Sequence, residues 1–212
     1  MVVALTRHLT AAPFIPATPT LPALRDAVQI CRGCPLYANA TQAVFGEGPT
    51  SAEFMLVGEQ PGDQEDQQGE PFVGPAGALL DRALTEAGID RKHAYITNAV
   101  KHFKWKARGK RRIHDKPSWS EQKACLPWLE AEIALVEPRA LVLLGATAAQ
   151  SLLGRDFRVT RSRGKPIESE LAEILVATIH PSAVLRADNR EEAFAGLVAD
   201  LQVAADAARI GN

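Results

Sequence analysis

The sequence predicts an α/β fold, a three-layer sandwich built on a mostly parallel four-stranded sheet. Three observations carry this expectation: four short apolar runs, helical patterns between them, and polar residues directly after each run. The runs occupy residues 54–57, 94–97, 140–144 and 174–179. They are continuous rather than alternating, as parallel strands covered on both faces are. Helical spacing comes first at Leu21, Leu24 and Val28. Leu79, Leu80, Ala83, Leu84 and Ala87 then share one face, and Gly88 supplies a C-terminal stop. Ser118 and Glu121 have capping-box spacing ahead of Leu126, Leu129, Ile133 and Val136, with Pro138 beyond. Residues 146–153 end at Gly154, and residues 191–208 close the chain with Phe194, Leu197, Val198 and Leu201 on one side. Residues 1–20 are rich in Ala, Pro and Thr without a period and read as a flexible arm, leaving residues 21–212 as one domain.

A chain of 212 residues suits one such domain. Three cysteines cannot build a secreted disulfide framework, which favours a reducing, cytoplasmic setting and leaves the thiols as candidate metal ligands. No apolar run approaches the roughly 20 residues of a bilayer span, so no membrane partner is expected. No heptad or exposed apolar stripe calls for a second copy, and a monomer is expected.

The formal net charge of -1 argues against nucleic acid until the charges are located. Between Lys101 and Arg112 lie seven basic residues and no acid, with Phe103 and Trp105 interleaved; the rest of the chain holds 17 basic and 25 acidic residues. Cations beside aromatics suit phosphates and unpaired bases. A solvated basic loop is the plain alternative.

Parallel sheets bind ligands outside the carboxyl ends of their strands. Gly58, Glu59, Gln60 and Asp63 follow the first run, Asn98 the second, Gly145 and Thr147 the third, and His180 and Ser182 the fourth. A carboxylate, an amide and an imidazole thus converge on one rim. Turn propensity explains Pro61 and Gly62, but Glu59, Gln60 and His180 poorly. No Walker or dinucleotide glycine fingerprint is present, and no G-x-S-x-G elbow.

Five segments in order carry a resemblance: Cys31-x-x-Cys34, GEQPGDQED from Gly58, EPFVGPAG from Glu70, ITNAVKH from Ile96, and HPSAVLR from His180. Together they resemble the iron-sulfur, family 4 uracil-DNA glycosylases. Gln60, where that family usually has alanine, and the loop Lys110-Arg-Arg-Ile-His114 are similar to the UdgX subgroup, whose loop histidine bonds covalently to uracil-containing DNA. The resemblance implies that uracil is flipped from the stack and excised, that single-stranded DNA is the preferred form, and that the protein remains attached to the abasic sugar through His114.

It further implies the following roles. Phe72 stacks on the flipped ring, Asn98 bonds its amide edge within a pocket that includes Gly58, and His180 donates to the departing base. Glu59 orients His114, Asp63 and Asp66 assist in positioning, and Gln60 displaces the hydrolytic water or touches DNA. Ser182, Leu185 and Arg186 support the strand. Lys110, Arg111 and Arg112 meet DNA, and the two arginines favour an uncharged imidazole. Cys31, Cys34, His102 and Cys125 fall at the four ligand places of a [4Fe-4S] cluster; a zinc ion suits the same donors. Two other readings stay open: a multiple-turnover family 4 glycosylase and a non-catalytic iron-sulfur nucleic-acid sensor.

Overall fold

The computed structural model describes residues 9–210. A parallel sheet of β1 (Phe54–Gly58), β2 (Ala94–Asn98), β5 (Ala140–Leu144) and β6 (Ile174–Thr178) runs in the spatial order β2-β1-β5-β6. All four strands are buried at every position, which is why their sequences are unbroken apolar runs. Alternate residues serve opposite faces. Met55, Val57, Leu141 and Leu143 pack with α1 (Leu21–Val28), α4 (Trp119–Val136) and α5 (Ala146–Leu153). Leu56, Ile96, Val142 and Val176 pack with α3 (Pro75–Glu86) and α8 (Arg190–Ile210). The result is the three-layer sandwich expected.

Short helices line the carboxyl rim: α2 (Asp63–Gln68), α6 (Val159–Ser162) and α7 (Pro181–Leu185). Residues 1–8 of the expected N-terminal arm lie outside the described residues. Further along that arm, Ala11 is buried and its N–H donates to the Ala124 carbonyl at 2.7 Å. No helix among the described residues is long and apolar enough to cross a membrane.

The segment expected to be a loop at residues 110–114 is instead half of an antiparallel hairpin, β3 (Trp105–Arg108) with β4 (Arg111–His114). Gly109 takes φ +60° in the two-residue turn, as the first position of a type II′ turn requires. Along β4, Arg112 and His114 share one face, and Arg111 and Ile113 share the other.

One interior feature has no counterpart in the sequence reading. Lys101 and Glu132 form an ion pair with both side chains fully buried. Glu132 Oε1 also accepts from Gly46 N–H, the Tyr95 hydroxyl and the Thr97 hydroxyl, at 3.1, 2.9 and 2.9 Å. Lys101 Nζ donates to Thr97 Oγ1 at 2.7 Å and to the Asn98 carbonyl at 2.8 Å. Lys101 therefore does not contribute to an electropositive surface, a correction to the charge reading.

A buried pair is costly to break from one side, because the survivor keeps its desolvation penalty without a partner. Lys101→Met is expected to destabilise the fold by about 3–5 kcal/mol in urea denaturation, and Lys101→Met with Glu132→Leu to recover part of that loss. Equal stability of wild type and Lys101→Met contradicts the assignment.

Candidate active site

The strand order reverses between β1 and β5, and a cavity of about 680 Å³ opens there, where open parallel sheets bind ligands. Its lining includes Glu59, Gln60, Phe72, Asn98, His114, His180, Ser182 and Arg186. Residues separated by more than a hundred positions thus meet, most of them because they end or closely follow a strand or sit at a hairpin end; Phe72 comes from the turn between α2 and α3, and Arg186 from the end of α7.

Glu59 occupies the centre. His114 Nε2 lies 3.2 Å from its Oε1, and the Thr147 hydroxyl donates to its Oε2. Burial alone raises the carboxyl pKa, but the His114 and Thr147 hydrogen bonds outweigh it and the net shift is downward. Glu59 is therefore an ionised acceptor at neutral pH. Thr147 was legible in the sequence as a strand-end residue, but nothing there assigned it to the carboxylate.

His180 is neutral. Burial lowers its pKa to about 4. Its Nδ1 accepts the Ser182 backbone N–H at 3.1 Å and lies 2.8 Å from Ser182 Oγ, so Nε2 carries the ring proton. Ser182, expected on DNA, is thereby committed to His180. The Phe72 ring stacks on the His180 ring with centroids 5.9 Å apart. Phe72 itself holds φ +57°, a strained value for a bulky residue. The turn tolerates it only with Gly77 alongside, since a Cβ there would lie 1.7 Å from the Phe72 carbonyl oxygen.

Below the ring, Asn98 is 2% exposed and its Oδ1 has no hydrogen-bond partner. A buried orphan acceptor is costly and calls for a donor from a ligand. Gly58 does not itself line the cavity but lets these two side chains approach: a Cβ on it would lie 2.4 Å from Asn98 Oδ1 and 2.6 Å from Phe72 Cζ. The cavity thus presents an aromatic plate, a free amide acceptor and an imidazole donor, a set that fits a flat heterocycle with N–H and C=O on one edge. Glu65, unmarked in the sequence, braces the wall by accepting from Gly62 N–H at 3.0 Å and Gly74 N–H at 2.8 Å.

Several expected residues are spent elsewhere. The Gln60 amide donates to the carbonyls of Lys104 and Asp115 and accepts from Lys104 N–H, all at 3.0–3.1 Å. It clamps the two ends of the hairpin, which commits both amide hydrogens and leaves only the second lone pair of Oε1 for a substrate. Asp66 is fully buried and accepts from Thr41 N–H at 2.9 Å and Arg112 at 2.6 Å. Asp63 lies 2.6 Å from Arg112 Nε and accepts from Gln67. Neither aspartate lines the cavity, because α2 turns both toward the hairpin, and the catalytic and substrate roles expected for them do not fit. Arg112 is doubly paired and lies over the Phe103 and Trp105 rings, so it is a structural tie rather than a phosphate contact. Its charge is matched by those carboxylates, which undercuts the expected influence on the imidazole.

Phe103 is 1% exposed and offers no free stacking face, while half-exposed Trp105 donates to the Asn39 carbonyl at 2.8 Å and has Arg112 over one ring face. Lys110 and Arg111 are exposed at the hairpin tip. Arg186 is exposed on the cavity lip, and Leu185 is half-buried outside the lining.

The three cysteines are buried and unbridged. The Trp128 indole N–H donates to Cys31 Sγ and the Lys101 N–H to Cys125 Sγ, both at 3.3 Å. Burial pushes the Cys125 thiol up to about 12, with Cys34 and Cys31 close enough to push the same way. Burial also raises Cys34 and lowers His102 to about 4. Neutral imidazole is the ligand form, and thiols this buried ionise only against a strong positive charge. Among the described residues no three His, Cys, Asp or Glu are arranged to hold one metal ion. The donor chemistry, buried sulfurs with N–H groups aimed at them, fits metal-bound thiolates.

Residues 45–202 match the Uracil DNA glycosylase superfamily. The chain is 40% identical over 167 residues to a type-4 uracil-DNA glycosylase of Thermotoga maritima, covering 78% of this chain and 83% of that protein. It is 37% identical over 173 residues to one of Archaeoglobus fulgidus, covering 78% and 83%. A type-5 uracil-DNA glycosylase of Thermus thermophilus is 34% identical over 154 residues, covering 64% and 65%.

The depressed pKa of His180 has a measurable consequence. The unfolded chain takes up this proton near 6.5 and the folded chain only near 4, so stability present above pH 6.5 is lost as pH falls toward 4. One such group contributes a slope of up to ~1.4 kcal/mol per pH unit. His180→Asn is expected to flatten that slope in urea titrations across this window; an unchanged slope contradicts the assignment.

Proposed function

Given that this chain belongs to the uracil-DNA glycosylase superfamily, we propose that it excises uracil from DNA and is left covalently bonded, through His114, to the sugar it exposes. The observation that carries the reading is the contact between His114 Nε2 and Glu59 Oε1, 3.2 Å, at the lip of the cavity. An ordinary solvated loop histidine has no reason to be clamped onto a partly buried carboxylate by a hairpin tied down at both ends.

The flipped base enters above Gly58 and stacks on Phe72. Its N3–H satisfies the orphan Asn98 Oδ1. As the C1′–N1 bond breaks, its electron pair moves onto the uracil, and the His180 Nε2–H stabilises the charge growing near O2. A neutral donor suits this task, because the proton stays on the protein while the base leaves as an anion. The unprotonated nitrogen of His114 supplies the lone pair that forms the new bond to C1′. The imidazolium so formed gives its remaining proton to, or shares it with, Glu59, which Thr147 holds ionised and aimed. The ionised carboxylate also lies near the positive charge that develops on the sugar.

Cys31, Cys34, Cys125 and His102 are proposed to hold a [4Fe-4S] cluster, which would supply a rigid structural joint. In that role the residues bind α1, the segment before the hairpin and α4 into one unit. A zinc ion asks the four donors to converge on one point and is the weaker reading. Purified protein is expected to be brown and to contain iron and acid-labile sulfide, both lost in Cys125→Ser; stoichiometric zinc without iron overturns the cluster.

Mixing the protein with a uracil-containing single-stranded oligonucleotide is expected to give a complex that survives denaturing electrophoresis, in a yield no greater than one per protein. His114→Ala is expected to abolish the complex, and Glu59→Gln to slow its formation by about 10²-fold or more, as loss of a group that positions and stabilises a catalytic histidine does. Repeated uracil release without a complex overturns the covalent step and leaves a turnover glycosylase. Reversible binding without base release overturns excision as well.

A further inference from the structure

The obvious basic segment is largely neutralised within the fold. Lys101 is buried against Glu132, Lys104 pairs with Glu121, Lys106 with Asp115, and Arg112 with Asp63 and Asp66. A second concentration of positive charge, between α5 and β6, is not. Residues 155–165 hold Arg155, Arg158, Arg161, Arg163 and Lys165 against one acid, Asp156. Arg163 is the anchor, with Nε 2.7 Å from Asp200 Oδ2, and Val159 is buried beneath the segment. Arg155, Arg158, Arg161 and Lys165 are exposed and make no ion pair among the described residues. Arg158 donates to the carbonyls of Arg155 and Phe157, which fixes its guanidinium while leaving its charge uncompensated.

The position of this segment matters as much as its charge. Thr160 lines the cavity, and Arg158 and Arg161 flank it in sequence. Arg186, exposed and unpaired among the described residues, stands on the same lip. The hairpin with Lys110 and Arg111 follows β2 at one edge of the sheet, and the α6 segment precedes β6 at the other edge. A polyanion whose one base enters the cavity must leave on both sides of it, and exposed cations belong to the elements at both edges.

We propose that the α6 segment, through Arg158 and Arg161 with Arg155 and Lys165 as its outer reach, is a phosphate-binding wall for the DNA strand flanking the flipped nucleotide. This rests on the DNA-directed reading above. The wall contacts the backbone only and is independent of sequence, because guanidinium and ammonium groups on an exposed turn meet phosphate before any base edge. Arg158, already held by two backbone carbonyls, loses less side-chain freedom on binding than an exposed cation without such contacts does.

The test uses a single-stranded oligonucleotide without uracil, which binds reversibly and yields no product. The affinity of the full chain is measured across a salt series. Each phosphate contact removed lowers the slope of log K against log salt by roughly 0.7 for single strands. Arg158→Gln with Arg161→Gln is expected to weaken binding about 10-fold or more near 0.1 M salt and to flatten the slope by one to two contacts. Arg161→Glu is expected to weaken it further. Lys92→Gln, at the opposite end of the strands, is expected to leave the slope unchanged. Wild-type affinity and slope in both α6 variants overturn the wall. Failure of the underlying reading is distinguishable, since it appears as wild-type protein that releases no uracil from uracil-containing DNA whatever the salt dependence.

Discussion

Glu59 is the constraint on which the remainder of the site depends. Its backbone leaves the end of β1 at the point where the strand order reverses, and its two carboxylate oxygens face different parts of the chain. One takes Thr147 from the helix after β5, and the other takes His114 from a hairpin that belongs to neither neighbouring strand. A two-stranded hairpin is marginal in water by itself. Here three ties hold it: Glu59 on the side chain of His114, Gln60 on the backbone at both ends, and Arg112 on Asp63 and Asp66. Adjacent residues of one loop thus fix both the His114 side chain and the element that carries it. The hydrogen bonds also keep Glu59 ionised despite its partial burial, so the same contacts that position His114 maintain the negative charge beside it.

Behind this surface lies a second polar system with a different purpose. Lys101 and Glu132 sit in the apolar layer between sheet and helix, where their charges are matched by each other and by five further hydrogen bonds. Such pairs seldom add net stability, but they permit few alternative packings. The pair grips the Asn98 carbonyl, while the Lys101 amide grips Cys125. The buried Asn98, the strand that carries it and the part of α4 that carries Cys125 are therefore one mechanical unit. The orphan Asn98 acceptor is held in place by groups that are all fully satisfied.

Much of the fold was readable because its signals are local. Continuous runs such as 140–144 mark doubly covered strands, the Ser118 and Glu121 box forms as its spacing implies, and Gly88 and Gly154 end their helices. The polar residues after each strand converge for the same reason, since topology puts strand ends on one rim. The hairpin was not readable: its residues 105–114 lack apolar alternation, and its stability comes from Gln60 and Asp66, some 40 residues away. Charge counting failed for the same reason in reverse. Seven cations in twelve residues look free, yet the partners of Lys101, Lys104, Lys106 and Arg112 lie elsewhere in sequence or in space, while at 155–165 only Arg163 is paired and Arg155, Arg158, Arg161 and Lys165 make no ion pair among the described residues. Gln60, Asp63 and Asp66 belong to the site's scaffold for reasons visible only once the hairpin exists.

The account stands or falls on which atom receives the sugar. The direct measurement is mass spectrometry of the protein after reaction with a uracil-containing oligonucleotide and nuclease trimming, with the modified peptide fragmented to locate the added mass. The account predicts a deoxyribose-derived mass on His114 and none on Glu59, in a peptide that spans β4. Modification of Glu59, or intact protein beside a free abasic strand, contradicts it.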